Sequence, residues 1–397
     1  MRLLHTSDWH LGRSFHRADM LAHQAAHLDH LLEVVARERV DVVLVAGDVY
    51  DRALPHVDAV RLLDDTLARL AASRAAVVVT SGNHDSAQRL GFGSRLIDAA
   101  GVHVRASLGS VGTPVVLRDE HGPVAVHGLP YLDPHAVAEP WGLARRSHEA
   151  ALGEAMRRVH ADTTAPGARR VVLAHAFVAG AEPSDSERDI SVGGVARVPT
   201  STFAGIDYVA LGHLHGRHVL DDEQATGGRL RYSGSPLAYS FSEAGHTKGS
   251  WLVDLGPQGQ VHAEFVPALV PRPLARLTGT LEELLADAHH AAHEQSWVQV
   301  TLTDAHRPAQ AMDQLRRRFP HTLVLGFAGA APGLGALPSS TAQGRSDHTV
   351  AEEFVRELRG TPATEAELAL LHAAVDACCE DPDLDPASDR ADTPGAA

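Results

Sequence analysis

Five apolar runs in this sequence are followed at once by Asp, Asn or His. The first leads into Ser7-Asp8-Trp9-His10 and the second into Gly47-Asp48. The third leads into Gly82-Asn83-His84-Asp85, the fourth into His175 and the fifth into Gly212-His213-Leu214-His215. Taken singly, each reads equally as a polar loop after a strand. Their recurrence at the same place in successive elements argues for metal ligands. Carboxylate, amide oxygen and imidazole together suit Mn, Fe or Zn better than Mg or Ca, which favour all-oxygen shells. Seven donors, Asp8, His10, Asp48, Asn83, His175, His213 and His215, are too many for one ion and fit two. Asp48 is the natural bridge, because a carboxylate has two oxygens. His213 and His215, two apart, would point the same way in a strand. Gly47, Gly82 and Gly212 would let the backbone turn sharply and approach the site.

The elements that must position these residues are legible in the hydrophobic pattern. Residues 2–7 read as a strand, and Leu28, Leu31, Leu32 and Val35 mark a helix over 24–37. The uninterrupted run Val42-Val43-Leu44-Val45-Ala46 has the pattern of a strand buried on both faces. A second amphipathic helix over 59–72 and a buried strand over 77–80 follow. This order predicts an α/β layered fold. Short strands are expected at 102–104, 115–117 and 124–127, buried ones at 171–174 and 208–211, and a hairpin at 250–255 with 262–266. Ligands of open α/β sheets bind beyond the carboxyl ends of the strands, so the five ends are expected along one edge.

A first domain is assigned to 1–270 and a small α+β module to 272–328. The module reads as strand, helix 281–292, strand 297–302, helix 309–319 and strand 322–327. Residues 329–347, rich in Gly, Pro, Ser and Ala, read as a linker, and 348–379 as two helices. The acidic, Pro-containing stretch 380–397 is expected to be disordered.

Composition bounds the function. The net charge of −15 counts against general affinity for nucleic acid, although part of the excess lies in the tail and bound cations would offset site carboxylates. Lys248 is the only lysine. No run of 18 uncharged apolar residues predicts a membrane span, and the first strand carries Arg2, His5 and Asp8, unlike a signal peptide. Cys378 and Cys379 are adjacent and cannot build a disulfide framework. A cytoplasmic protein is expected.

The order Asp-x-His, Gly-Asp, Gly-Asn-His-Asp, lone His, Gly-His-x-His resembles the calcineurin-like metallophosphoesterase superfamily. LLHTSDWHLG, VAGDVYD, SGNHDS, SERDISVGG, DYVALGHLHG and YSGSPLAYSFSE narrow the likeness to the SbcD family of nuclease subunits. The resemblance covers most of 1–270. It implies a four-layer α/β/β/α sandwich with a small α+β capping domain and C-terminal helices. It implies two divalent ions, Mn2+ foremost: one on Asp8, His10 and His215, the other on Asn83, His175 and His213, with Asp48 shared. His84 would donate a proton to the leaving oxygen or hold the scissile phosphate. Where relatives carry a second histidine, this sequence has Asp51 and Arg52. Arg52 either contacts phosphate or pairs with Asp51 at the surface. His5 either orients a ligand or is a core histidine.

The implied activity is exonuclease action on duplex DNA ends and endonuclease action on single strands or hairpins. The implied assembly is a homodimer within a heterotetramer with an SbcC-type ATPase. No Walker A motif is present, so ATP hydrolysis would belong to the partner. The C-terminal helices would dock that ATPase through Phe354, Val355 and Leu358 with Leu368, Leu371 and Val375, or else pack on each other. The competing readings are a phosphatase of small molecules or proteins, suggested by GDVYDR, and a DNA-binding scaffold subunit that does not cut.

Overall fold

The computed structural model describes residues 1–190, 197–220, 229–328, 346–359 and 361–380. The chain divides into two compact units. One comprises Met1–Arg276, His289–Gln299 and Arg318–Val324; the other comprises Leu277–Ala288, Val300–Arg317 and Leu325–Ala397.

The first unit is built on two six-stranded sheets. In one, the parallel strands Arg2–Thr6, Val42–Ala46, Ala76–Thr80 and Val102–Arg105 lie side by side, flanked by the antiparallel pair Gly249–Leu255 and Val261–Pro267. In the other, Tyr208–Gly212 and Arg169–His175 are central and parallel, with Gly122–Gly128 parallel beyond them.

Side chains alternate across a strand, and here both faces meet apolar partners. Leu4, Val43, Val45, Val77 and Val79 pack with Leu28, Leu31, Val35, Leu63 and Leu70 of the helices Leu21–Arg37 and Val57–Ala71. The alternate residues Leu3, Val42, Leu44 and Val78 pack against Val126, Val171, Leu173, Tyr208 and Ala210 of the second sheet. On its far side that sheet turns Val172, Ala174, Val209 and Leu211 to Leu152, Ala155, Met156 and Val159 of the helix His148–Ala161. The result is a four-layer α/β/β/α sandwich, which explains why Val42–Ala46 is apolar throughout: one face meets helices and the other meets a sheet.

Two sequence expectations are corrected. The five strand ends do not share one edge of one sheet: Arg2–Thr6, Val42–Ala46 and Ala76–Thr80 belong to the first sheet, Arg169–His175 and Tyr208–Gly212 to the second. A continuous apolar run specifies two covered faces but not what covers them. The helix expected over 281–292 is α-helical only over Leu281–Ala286; Asp287 is extended (φ −68°, ψ 121°) and a 3₁₀ segment Ala288–His293 follows. A short polar side chain such as Asp287 competes with helical hydrogen bonding and favours such a break.

The strands Leu274–Gly279, Trp297–Leu302 and Thr322–Phe327 form a three-stranded sheet in that order. Thr280 starts the neighbouring helix with a capping box: its Oγ1 accepts from the Glu283 amide, and Glu283 Oε2 accepts from the Thr280 amide. Two further helices span Asp347–Arg359 and Glu365–Glu380. The expected linker over 329–345 and the acidic tail over 381–397 lie outside the described residues, as do 191–196 of the SERDISVGG stretch. Among the described residues no helix is long and apolar enough to cross a membrane.

Candidate metal centre

The carboxyl ends of both sheets converge, and strained backbone aims the side chains. Asp8, His10, Asp48 and His213 all have positive φ (54°, 47°, 49° and 104°). Such conformations cost on the order of 1–3 kcal/mol each in a non-glycine residue and persist only where surrounding structure enforces them. That structure is visible. The Asp8 and His10 amides donate to the carbonyls of Gly47 and Asp48 at 3.1 and 3.0 Å. The Asp85 carboxylate accepts from the amides of Val49, Tyr50 and Gly82 at 3.1, 2.9 and 2.9 Å, tying the second strand end to the third. Gln24, on the first helix, donates to the His10 carbonyl at 2.7 Å and to Tyr239 Oη at 2.9 Å. The three glycines differ in purpose. Gly47 takes a left-handed turn (φ 83°) where a Cβ would also run into the His175 ring, whereas Gly82 and Gly212 have ordinary φ and are needed only for space, a Cβ there meeting Asp48 and the Ala46 carbonyl.

All seven sequence-selected ligand residues and His84 meet here. Asp8, His10, Asp48, His84, His175, His213 and His215 are each at most 5% exposed. His10 Nε2 faces His215 Nε2 at 3.0 Å. Asn83 Oδ1 lies 3.0 Å from His175 Nε2 and 3.2 Å from His213 Nδ1. Between these clusters sits Asp48, whose Oδ2 is 3.7 Å from His10 Nε2 and 3.4 Å from His175 Nε2. Donor atoms of Asp8, His10 and His215, and those of Asp8, Asp48 and His175, lie within 4.8 Å of one another. Two imidazole nitrogens facing each other inside a shell of carboxylate and amide oxygens form a donor set that suits divalent cations. His213 and His215 do not point the same way. The strand ends at Gly212, so His213 turns to Asn83 and His215 to His10.

Electrostatics agree with that use at His10 and His213, while His175 holds a proton that a bound cation would have to displace. Burial holds His10 and His213 well below the ordinary histidine range, so both stay neutral, the ligating form. Burial also pushes Asp8 up to about 6. Asp48 stays well below the usual carboxylate range; burial opposes this, but His175, His10 and His84 outweigh it. Facing Asp48, His175 rises to about 9 against its own burial. His84 is lowered by burial, with Asp48 pulling the other way. The His84 Nδ1–H donates to the Asp51 carbonyl at 2.6 Å, leaving Nε2 3.9 Å from Asp48 Oδ2.

Sequence reasoning left the supports of the site unassigned. Ser186 Oγ donates to Glu243 Oε1 at 2.6 Å and so accepts from His215 Nδ1, which leaves His215 Nε2 bare toward His10. The other Glu243 oxygen bonds Lys248 Nζ, which also donates to the His215 carbonyl at 2.8 Å and Ser235 Oγ at 3.0 Å. Lys248, the one lysine of the chain, is 5% exposed. Glu187 Oε1 accepts from the His215 amide at 2.7 Å. Ser186, Glu187 and Glu243 fall within the SERDISVGG and YSGSPLAYSFSE stretches, and a solitary lysine was the other available signal. Arg52 is at the surface and meets Asp51 Oδ2 at 3.4 Å. Arg13, not singled out, lies 3.7 Å from Asp51 Oδ1 and donates to the Ser186 carbonyl at 2.9 Å. His5 is a core histidine between the sheets, bonded to Tyr208 Oη at 2.9 Å and the Leu211 carbonyl at 3.1 Å.

Residues 1–217 match the family model of calcineurin-like phosphoesterases; this is more than half of the chain, which belongs to that family and is a metal-dependent phosphoester hydrolase. Residues 270–358 match a second family model, described as the type 5 capsule protein repressor C-terminal domain, and constitute an SbcD C-terminal domain. Among solved structures, TT1561 of Thermus thermophilus is 13% identical with a TM-score of 0.39, covering 66% of this chain and 98% of its own. GAP50, the anchor in the inner membrane complex of Plasmodium, is 12% identical with a TM-score of 0.42, over 67% and 84%. An archaeal phosphodiesterase is 11% identical with a TM-score of 0.31, over 67% and 100%.

Proposed function

We propose that the chain is the nuclease subunit of an SbcCD-type complex, a DNA phosphodiesterase acting in repair and recombination with an SbcC-type ATPase. Asp8, His10 and His215 would hold one divalent cation and Asn83, His175 and His213 the other, with Asp48 shared; Mn2+ is the ion this reading assigns. Such ions would supply charge to offset a phosphodiester and would lower the pKa of an attacking water.

His84 serves the departing side. Its Nδ1–H is fixed on the Asp51 carbonyl, so Nε2 is the atom that takes up a second proton from water and, from the imidazolium, gives it to the leaving sugar oxygen as the phosphorus–oxygen bond breaks. An arriving phosphodiester adds negative charge beside it, which favours the protonated imidazole against the burial that lowers it. Arg52, on the surface by Asp51, is placed to exchange that partner for a DNA phosphate. The substrates are duplex ends, for exonuclease action, and single strands or hairpins, for endonuclease action.

Residues 272–328 act as a cap governing DNA access, and the helices over 348–379 dock the ATPase. Phe354 and Leu370 on those helices are 44% and 74% exposed, which supports a docking role. The ATPase supplies the positive charge that a net −15 chain lacks, in a cytoplasmic heterotetramer built around a homodimer.

The observation that carries this reading is Asp48 Oδ2 lying 3.7 Å from one histidine cluster and 3.4 Å from the other. The test compares His84→Ala with the wild type on a DNA hairpin and on p-nitrophenyl phosphate in Mn2+. The expected outcome is DNA cleavage lowered about 10²–10⁴-fold, with metal and DNA binding retained. Unchanged cleavage would remove His84 from the mechanism, and wild-type preference for the small ester would favour a phosphatase.

A further inference from the structure

Arg13 follows His10 by three residues and takes no part in the chemistry above, yet it touches the supports of both histidines assigned to one cation. Local backbone puts it there. Leu11 bridges to Tyr50, the Asp51 amide donates to the Leu11 carbonyl at 3.2 Å, and the Arg13 amide donates to the His10 carbonyl at 2.9 Å. The loop after Asp8 therefore runs beside the loop after Asp48, which brings Arg13 against Asp51.

Its guanidinium spans three neighbours. Nε lies 3.7 Å from Asp51 Oδ1, Nη2 donates to the Ser186 carbonyl at 2.9 Å, and the guanidinium carbon sits 4.9 Å from the centre of the Tyr239 ring. Each neighbour leads to a ligand. Asp51 Oδ1 is 3.9 Å from His10 Nδ1, a buried nitrogen with no hydrogen-bond partner among the described residues. The Ser186 hydroxyl accepts from His215 Nδ1. The Tyr239 ring stands edge-on to His10 and to His215, with centroids 5.5 and 6.0 Å apart. The other ligand set is held differently, His175 Nδ1 meeting the Ala46 carbonyl at 3.0 Å. Asp51 also offsets the guanidinium charge, which would otherwise oppose a cation nearby.

A histidine that binds metal through Nε2 keeps its proton on Nδ1, and an acceptor there fixes the ring. Asp51 is the carboxylate facing His10 Nδ1, and a guanidinium can fork between two oxygens where an ammonium cannot. We propose that Arg13 is a positioning residue: it holds Asp51 toward His10 and Ser186 toward His215, presetting both imidazoles of one cation and neither imidazole of the other. This rests on the two-cation reading of the proposed function.

The test titrates the full chain, stripped with chelator, with Mn2+ while electron paramagnetic resonance measures the free ion. Wild type, Arg13→Ala and Arg13→Lys are compared. The wild type is expected to bind two ions. Arg13→Ala should weaken one binding constant about 10–100-fold and leave the other unchanged. Arg13→Lys, whose ammonium can serve Asp51 or the Ser186 carbonyl but not both, should lose less. In crystals of Arg13→Ala at limiting Mn2+, the surviving anomalous peak should contact Asn83, His175 and His213. Two unchanged constants would overturn the proposal. So would equal weakening of both, the mark of a loosened fold, or a surviving peak on Asp8, His10 and His215. A wild type that binds fewer than two ions would instead overturn the two-cation reading, and the proposal with it. Arg13 Nη1 is buried without a hydrogen-bond partner among the described residues, so a DNA phosphate is the rival use. Weaker DNA binding with both manganese constants intact would assign Arg13 to the substrate and overturn the positioning role.

Discussion

The tautomer of His215 is decided by Glu243, acting through Ser186. Glu243, held between Ser186 and Lys248, takes the Ser186 proton, so Ser186 can only accept from His215 Nδ1. Breaking that relay frees the ring without removing a ligand. Ser186→Ala and Glu243→Gln are therefore expected to weaken metal affinity by about 10–100-fold, read by calorimetric titration with Mn2+, with the smaller loss for Ser186→Ala because Lys248 stays paired. Affinity unchanged in both variants would show that the relay does not orient the ligand. The pairing of these residues was not legible in the sequence, because the partners lie 29 and 57 residues apart and meet only through the fold. The ligand-type residues themselves were legible, since each follows an apolar run directly. The left-handed backbone of Asp8, His10, Asp48 and His213 was not, because Asp and His adopt positive φ more readily than most residues but only in a small minority of positions.

At the scale of elements, the alternation of side chains across each strand builds the sandwich, and the close approach of loops from two sheets builds the site. The sequence displayed the strands but not their division between sheets, because Val42–Ala46 and Val171–Ala174 are equally apolar and nothing local says which neighbours they pair with. His213 and His215 were misread because the strand ends at Gly212, before either histidine, so strand alternation does not apply to them.

Glycine distinguishes crowded positions from open ones. A Cβ at Gly212 meets the Ala46 carbonyl across the two sheets, whereas a Cβ at Gly153, inside the helix His148–Ala161, meets nothing within 4 Å. Gly212→Ala is expected to lower the melting temperature and metal affinity together. Gly153→Ala should stabilise by about 0.5–1 kcal/mol in chemical denaturation, through helix propensity and a less flexible unfolded chain. A neutral Gly212→Ala would contradict the packing of the two strand ends.

At the scale of the whole molecule, buried histidines set an acid limit. Burial pushes His5 and His27 down to about 3 and His127 to about 4. Both ring nitrogens of His27 and of His127 lack hydrogen-bond partners. The unfolded chain takes up these protons near pH 6.5 and the folded chain refuses them, so stability is full above about 6.5 and falls as the pH drops toward 4. His27→Leu is expected to flatten the fall of melting temperature between pH 6.5 and 4.5. An unchanged slope would mean that His27 is protonated in the fold.

The most direct measurement is anomalous diffraction at the manganese edge from crystals grown with Mn2+. The account requires two peaks per chain at this site, one contacting Asp8, His10 and His215, the other Asn83, His175 and His213, with Asp48 touching both. A single peak, or peaks seated on other side chains, would contradict it.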